Sequence, residues 1–287
     1  MRQSPQHPAG KDQPPRHHSP RVGFSVCHGR PDRDLLNDPY APGALTTLFQ
    51  PIFRLVDGGR ELFGAEALTR GPAGSSLEDS ATLFRFAREA GTVCALDRAC
   101  IDLALRRAAT LPGGPVLFLN LHPETLKHDR GFPAFLEGSA HRWGVPLNRI
   151  VVELLEYARI AWVNPSKRCR QLGGLRQHGV RLALDDVHTG VDDVGKVAQY
   201  QPDFIKLDGE VLRGARLDVK HRGFITQILD LAERIGTAVI AEGLETRWDL
   251  DLAHAAEIPL AQGYHLGAPV PPAGFLFLAD GTVQEAG

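Results

Sequence analysis

The sequence has few cysteines, no marked excess of either charge and no long apolar run. Its four cysteines form no CxxC pair and no zinc-type spacing, so we expect reduced thiols and a cytoplasmic location. The net charge of −2 gives no electrostatic case for binding a nucleic-acid polymer or a membrane surface. No run approaches the roughly 20 apolar residues of a membrane span, and no signal-peptide pattern opens the chain. We therefore expect a soluble protein without membrane insertion.

Residues 1–43 differ in composition from the rest of the chain. They are rich in proline, histidine, glutamine and basic residues and poor in large apolar ones. Such a segment cannot bury enough surface to offset its ordering entropy. The sequence therefore predicts a disordered tail over 1–43, a folded domain over 44–280 and a short C-terminal tail over 281–287.

Short apolar runs alternate with amphipathic helical stretches from residue 44 onward, a pattern that indicates a largely parallel sheet covered by helices. One such helical stretch covers residues 80–109. Eight runs are typical of strands, with roughly 29 residues per unit, close to the ~250 residues of an eightfold barrel. These runs are LTTLFQPIFRLV, ELFGAEALTR, PVLFLNL, RIVVELLE, VRLALDD, FIKLD, TAVIAEG and LAQGYHLG.

The connection between the first two strands departs from this rule. Only DGG separates them, so they should form a hairpin and run antiparallel. A doubly wound open sheet is the competing architecture, but neither GxGxxG nor GxxxxGK is present to support it. We predict an α/β fold, a TIM-like (β/α)8 barrel with one antiparallel strand.

Polar residues stand at or just after the ends of the predicted strands, and in a barrel these ends converge on one mouth. For any one residue the simpler interpretation is a solvated strand end, and Glu66 could pair with Arg70 four residues on. The number of such residues favours a site instead. The set is Glu66, Asn120, Glu153, Glu156, Asp185, Asp186, Lys206, Asp208, Glu242, Glu245 and Gln262.

Five of these carboxylates would point into one small space, where like charges repel and raise one another's pKa. One or two divalent cations would remove the conflict, and oxygen ligands with an Asn carbonyl suit Mg²⁺ or Mn²⁺ rather than zinc. An Asp that bridges two ions suggests a two-metal site for phosphoryl displacement. In that reading Glu66 is a metal ligand and Arg70 meets an anionic substrate.

The same residues resemble the EAL domain family, phosphodiesterases that hydrolyse cyclic di-GMP in bacterial signalling. The signature Glu-Ala-Leu-x-Arg stands at residues 66–70, and the similarity runs from FQPI at Phe49 to QGYHLGAP ending at Pro269. The resemblance implies a barrel with one antiparallel strand, cyclic di-GMP as the ligand, and linear pGpG as the product. It further implies two Mg²⁺ or Mn²⁺ ions and a homodimer formed through the barrel.

The resemblance also implies roles for particular residues. Those of the first metal are Glu66, Asn120, Glu153 and Asp185, and those of the second are Asp185, Asp186 and Glu242. Lys206 matches the lysine beside the nucleophilic water, and Glu245 matches the glutamate that steadies the loop after the fifth strand. Gln50 and Arg70 match substrate contacts, and Gln262 matches the glutamine of the last strand, which we group with them. Glu156 closes the ELLE motif as a supporting residue, and we add Asp208 of FIKLD to that class.

The loop after the fifth strand departs from the family pattern. Where the family usually has Asp-Asp-Phe-Gly-Thr-Gly-Tyr-Ser-Ser, this chain has DDVHTGVDD from Asp185 to Asp193. In the family this loop links dimerisation to activity, and we interpret His188 as an exposed loop residue. The alternative function is therefore a catalytically weak or inactive cyclic di-GMP receptor or protein-interaction module. We favour the enzyme because every metal-ligand position is retained.

Overall fold

The computed structural model describes residues 43–154, 172–189 and 191–279. The predicted tails, except for Gly43, lie outside the described residues. None of the helices in the described ranges is long and apolar enough to cross a membrane.

The strands form a closed barrel in sequence order, in which β1 is antiparallel to both β2 and β8 and the other neighbours are parallel. The predicted (β/α)8 barrel with one antiparallel strand is thus confirmed. The strands are β1 Thr46–Val56, β2 Gly59–Arg70, β3 Val116–Leu121, β4 Ile150–Leu154, β5 Arg181–Val187, β6 Phe204–Asp208, β7 Ala238–Glu242 and β8 Leu260–Ala261.

The β1–β2 hairpin follows from its turn. Asp57 and Gly58 connect the strands, and Gly58 has a φ of 76°, a conformation that glycine adopts without steric cost. The resulting register places Gln50 opposite Glu66. The hairpin therefore brings a residue of the antiparallel strand to the signature glutamate.

The helices surround the barrel. They are α1 Ser80–Ala90, α2 Val93–Ala108, α3 Pro123–His128, α4 Phe132–Trp143, α5 172–177, α6 Val191–Tyr200, α7 Gly209–Gly214, α8 Val219–Ile235, α9 Arg247–Ala255 and α10 Pro272–Ala279, with a 3-10 turn at Leu147–Arg149.

The stretch 80–109 is two helices rather than one. Gly91 takes a left-handed φ of 69° and ends α1, and the N–H of Thr92 bonds to the Ala87 carbonyl oxygen at 2.8 Å. This glycine-centred C-cap redirects the chain before α2 begins. Because the apolar periodicity continues through Gly91, the sequence pattern alone conceals the break.

Two apolar layers pack on the strands. A large cluster fills the space between the barrel and its helices, and a smaller one closes the barrel interior. We call the smaller cluster the floor layer, and Phe118 and Phe204 pack edge to face within it with ring centroids 5.2 Å apart. The floor layer consists of Ile52, Phe118, Val151, Ala183, Phe204, Ile240 and Leu260.

Candidate active site

A ring of polar side chains lies one layer above the floor layer, for a reason that the strand geometry supplies. Side chains two residues apart on a strand face the same side, so Phe118 is followed on its face by Asn120 and Phe204 by Lys206. On the antiparallel β1 the order reverses, and Gln50 follows Ile52. We call this ring the mouth layer. It consists of Gln50, Glu66, Asn120, Glu153, Asp185, Lys206, Glu242 and Gln262.

The ammonium of Lys206 occupies the centre of the mouth layer. The side chain is 2% exposed, and a long cation is almost never buried so completely unless it is paired. Four ionised carboxylates against one ammonium would leave a formal excess of three negative charges. The Nζ atom lies 3.1 Å from Glu66 Oε2, 3.4 Å from Glu153 Oε2, 3.1 Å from Asp185 Oδ1 and 3.0 Å from Glu242 Oε2.

The four carboxylates are not electrostatically equivalent. Burial would raise the pKa of Glu66, but the Lys206 charge and the amide hydrogen bonds outweigh it and hold this pKa below its usual value. Burial, followed by the neighbouring Glu66 charge, raises the pKa of Glu153 well above normal. Burial also raises the pKa of Glu242 to about 8, against the lowering effect of Lys206. The mouth layer therefore contains Glu66, whose charged form is stabilised, beside Glu153 and Glu242, whose charged forms are disfavoured. We call Glu153 and Glu242 the strained carboxylates in this electrostatic sense.

Two amide side chains hold Glu66 in place. Asn120 Nδ2 donates to Glu66 Oε1 at 2.8 Å, and Gln262 Nε2 donates to Glu66 Oε2 at 2.6 Å. Gln262 Nε2 also lies 3.1 Å from Gln50 Oε1, and Gln50 in turn donates to the Gly267 carbonyl at 3.1 Å. The network crosses from β1 to β8 and orients the glutamate of the signature.

The side chains of the mouth layer fit a divalent cation in their chemistry. The atoms that would ligate a metal are all oxygens, and negative charge is in excess. Asn120 Oδ1 and Glu153 Oε1 are buried acceptors without a hydrogen-bond partner among the described residues. Within those residues, no three His, Cys, Asp or Glu side chains form a ready-made metal-holding group. The carboxylates surround Lys206 instead, so ion binding requires this ammonium to leave the centre.

Other predicted site residues lie at the edge of the mouth layer or beyond it. Asp186 is exposed, Asp208 caps α7 by accepting from the Glu210 N–H, and Arg70 Nη1 donates to the Thr69 carbonyl at 2.9 Å. Glu245 is exposed, and its backbone N–H bonds to Asp249 Oδ2. Glu156 lies outside the described residues. The roles assigned to these residues stay predictions.

A cavity of about 930 Å³ adjoins the mouth layer between the C-terminal ends of β2 and β3 and the helices α1 to α3. Glu66, Asn120 and Asp185 form part of its wall. Phe84, Arg85 and Arg88 of α1 line it as well, and sequence reasoning did not single them out. The glycine at position 91 is the signal that could have found them, because glycine is a common C-cap and here limits α1 to a short helix.

Asp97 is a second residue that the sequence reading missed. It is buried on α2, where it accepts hydrogen bonds from the Thr125 hydroxyl and from the His122 backbone N–H at 3.2 Å. Burial raises the pKa of Asp97 to about 8. The two hydrogen bonds of Asp97 connect α2 to the turn that follows Asn120. An acidic residue on the apolar face of a predicted helix is the signal that could have found it.

Comparison with known proteins shows where the chain is similar. The family model described as EAL domain matches residues 33–269. The chain is 28% identical over 240 residues to the uncharacterized protein Rv1357c of Mycobacterium tuberculosis, an alignment covering 80% of this chain and 76% of that protein. It is 32% identical over 139 residues to the cyclic di-GMP phosphodiesterase PdeL of Escherichia coli, covering 48% of this chain and 37% of PdeL.

A solved structure of similar fold contains both a metal and a cyclic dinucleotide. The manganese and cyclic di-GMP complex of Klebsiella pneumoniae BlrP1 aligns with a TM-score of 0.70 and 26% identity. The alignment covers 80% of this chain and 57% of the BlrP1 chain. The present chain thus spans little more than half of BlrP1, and the match supports the barrel fold.

Proposed function

Because the chain belongs to the EAL domain family, we propose that it is a metal-dependent phosphodiesterase that hydrolyses cyclic di-GMP to linear pGpG. The observation that carries the proposal is the mouth layer, in which four carboxylates converge on Lys206 beside buried acceptors of Asn120 and Glu153 that lack a hydrogen-bond partner in the described part of the chain. Divalent cations held by these acidic groups would bridge them to the negative charge of a phosphodiester.

Two Mg²⁺ or Mn²⁺ ions would be held by the residues that match the family's ligand positions. The first would take Glu66, Asn120, Glu153 and Asp185, and the second would take Asp185, Asp186 and Glu242. Bound there, such ions supply activation of water and neutralise charge on phosphoryl oxygens. The amide groups of Asn120 and Gln262 fix the orientation of Glu66, which limits the number of ways it can present its oxygens.

Lys206 and the polar residues at the rim would handle water and substrate. Lys206 Nζ, moved aside from the centre when ions bind, would orient the attacking water by hydrogen bonding. Arg70 would contact a phosphate through the guanidinium N–H groups other than the one that reaches Thr69. Gln50 and Gln262 already form a linked pair and would contact the nucleotide, and Glu245 would steady the loop after β5.

The proposal extends to the organisation of the protein. The phosphodiesterase domain would span residues 44–280 between two tails, and it would act in the cytoplasm as a homodimer formed through the barrel. These expectations come from the family pattern and from composition. Size-exclusion chromatography with light scattering, at concentrations that bracket the assay, would test the homodimer.

One observation favours a receptor as the second candidate function. The described carboxylates surround an ammonium rather than forming a ready-made metal group, and the loop carrying Asp185 and Asp186 departs from the family sequence. A receptor would bind cyclic di-GMP without hydrolysing it.

Turnover and binding measured on the same preparation separate the two functions. The full chain is incubated with cyclic di-GMP and millimolar Mg²⁺ or Mn²⁺, pGpG is quantified by chromatography, and binding is measured by calorimetry in Ca²⁺ or EDTA. Metal-dependent pGpG formation that Asp185→Asn abolishes supports the enzyme. Binding without pGpG supports the receptor, and absence of both overturns the proposal.

A further inference from the structure

The strand that carries Asp185 and Asp186 ends irregularly. The pairing of β5 with β6 shifts register between Leu184 and Val187, and Asp186 has a φ of 54°. A non-glycine residue in the left-handed region is uncommon and strained, although Asp tolerates it better than most. The bulge aims the two neighbouring carboxylates differently, Asp185 toward Lys206 and Asp186 toward solvent. This irregular segment needs contacts with neighbouring residues to keep one conformation.

Two hydrogen bonds from His188 stabilise the bulge. The His188 Nδ1 atom lies 2.6 Å from the Asp186 carbonyl oxygen, and because that oxygen can only accept, Nδ1 carries the proton. The backbone N–H of His188 donates to Asp193 Oδ2 at 3.3 Å. His188 itself is exposed, as the sequence predicted, so its position depends on the group at the other end of these bonds.

Asp193 is the fixed end of this chain of contacts. It stands at the third position of α6, where an acidic side chain can reach back to N–H groups before the helix and is favoured by the helix dipole. Its residue is 7% exposed, and its Oδ1 atom pairs with Lys196 Nζ at 2.6 Å. A buried carboxylate held from the helix side is restricted to one geometry.

We propose that Asp193 is a positioning residue that, through His188, fixes the bulge presenting Asp185 and Asp186 to divalent ions. This inference rests on the proposed function, because it requires that ions bind at these aspartates. The role of Glu245 in steadying this loop stays a prediction, and its backbone N–H bonds to Asp249 Oδ2. Asp193 and His188 provide the contacts between the loop and α6 that the structure does describe.

The test measures ion binding without substrate. The melting temperature of the full chain is followed as Mn²⁺ alone is added, and the midpoint of the rise is compared between variants. Asp193→Ala should raise the Mn²⁺ midpoint about tenfold or more, since groups that orient metal ligands typically contribute 10- to 100-fold in affinity. On a logarithmic scale, Asp193→Asn should raise the midpoint by less than half as much as Asp193→Ala, because its amide oxygen can still accept the His188 N–H.

A matched control removes a similar bond from a helix outside the proposed site. Asp218 caps α8 by accepting the Lys220 N–H at 2.8 Å. Asp218→Ala should lower the metal-free melting temperature as a lost cap does and leave the Mn²⁺ midpoint unchanged. If Asp193→Ala does not fold, His188→Ala replaces it, and the loss of the bond to Asp186 should again raise the midpoint.

Each outcome supports or overturns the inference. A lower melting temperature in Asp193→Ala with an unchanged Mn²⁺ midpoint would reduce its role to structure, and equal losses in the Ala and Asn variants would exclude the bond to His188 as the route. An unchanged midpoint in His188→Ala would likewise overturn the proposal. If Mn²⁺ does not stabilise even the wild type, the metal site of the proposed function fails as well. Equal stabilisation of wild type and Asp193→Ala by Mn²⁺ would overturn this inference and leave the proposed function unaffected.

Discussion

The floor layer and the mouth layer are built on the same strands, two residues apart, and their physical character is opposite. In the floor layer, Phe118 and Phe204 pack among aliphatic side chains, and the burial of this apolar surface stabilises the folded state. In the mouth layer, Glu153 and Glu242 are buried beside other carboxylates, and their raised pKa values record an unfavourable environment for charge. The floor layer therefore stabilises the fold, whereas the mouth layer contains the side chains to which the proposed function assigns the chemistry.

The largest expected effect on stability comes from the floor layer. Phe118→Ala should lower the free energy of unfolding by about 3–5 kcal/mol, because it removes a fully buried ring and leaves a cavity. Urea unfolding measures this loss, and Phe118→Leu serves as a milder control. A loss below about 1 kcal/mol in the Ala variant would break the comparison, since the floor layer would then not be the stabilising one.

The second prediction divides the mouth layer within itself. Glu153→Gln and Glu66→Gln should both reduce hydrolysis on the order of 10³-fold, since each removes a carboxylate that would hold an ion. Without metal, the two variants should change the free energy of unfolding in opposite directions, each by about 1–3 kcal/mol. Glu153→Gln relieves a strained carboxylate and stabilises, whereas Glu66→Gln removes the one that Lys206 and two amides favour.

Stability and activity of the two Gln variants are measured on the same samples, by chemical denaturation in EDTA and by pGpG formation in Mn²⁺. If both variants shift stability in the same direction, the division between a stabilised and a strained carboxylate is wrong.

The third prediction concerns ions in the mouth layer. A ligand that binds only the folded state stabilises it by about 2.7 kcal/mol at a concentration 100 times its Kd. Saturating Mn²⁺ should therefore raise the melting temperature, and Asp185→Asn should remove most of the rise. Asp251→Asn is the control, because Asp251 pairs with Arg247 on the exposed face of α9 and should leave the full rise in place.

The last prediction is a pH dependence of stability that arises beside the mouth layer. Burial raises the pKa of Asp97 to about 8 in the folded state, so the folded protein retains a proton that the unfolded chain releases near its usual pKa. The stability that this proton contributes is complete below about pH 4 and is lost as the pH rises through about 8. The slope should reach about 1.4 kcal/mol per pH unit at most.

Asp97→Asn should flatten this dependence, because the amide cannot titrate and can still accept from Thr125 and His122. Denaturant unfolding of both proteins at about pH 5, 6.5 and 8 measures the difference in slope. Parallel curves would show that Asp97 is not the group responsible.

Strand identity and the location of the site could be predicted because both depend on local periodicity. A polar residue two positions after a buried apolar one, as in Phe118 and Asn120 or Phe204 and Lys206, places the polar side chain on the inner face at the strand end. The DGG turn likewise specifies an antiparallel hairpin from three residues. These features require no knowledge of distant contacts.

The rest depends on distances between residues far apart in the chain. The sequence presented Glu66 and Glu153 as equivalent acidic strand ends, but only the fold shows that Asn120 and Gln262 satisfy Glu66 and leave Glu153 strained. The left-handed conformation of Asp186 and its support by Asp193 also depend on how α6 packs after the strand. The metal assignments themselves stay predictions.

The central position of Lys206 gives the barrel a tethered counter-ion. The carboxylates of the mouth layer can be buried without a metal, because the Lys206 ammonium on β6 neutralises part of their charge. A divalent ion entering later would have to exchange with this cation rather than fill a vacancy. Metal binding would then behave as ion exchange against a tethered competitor, so that the length and charge of one side chain would set the metal concentration at which ions bind.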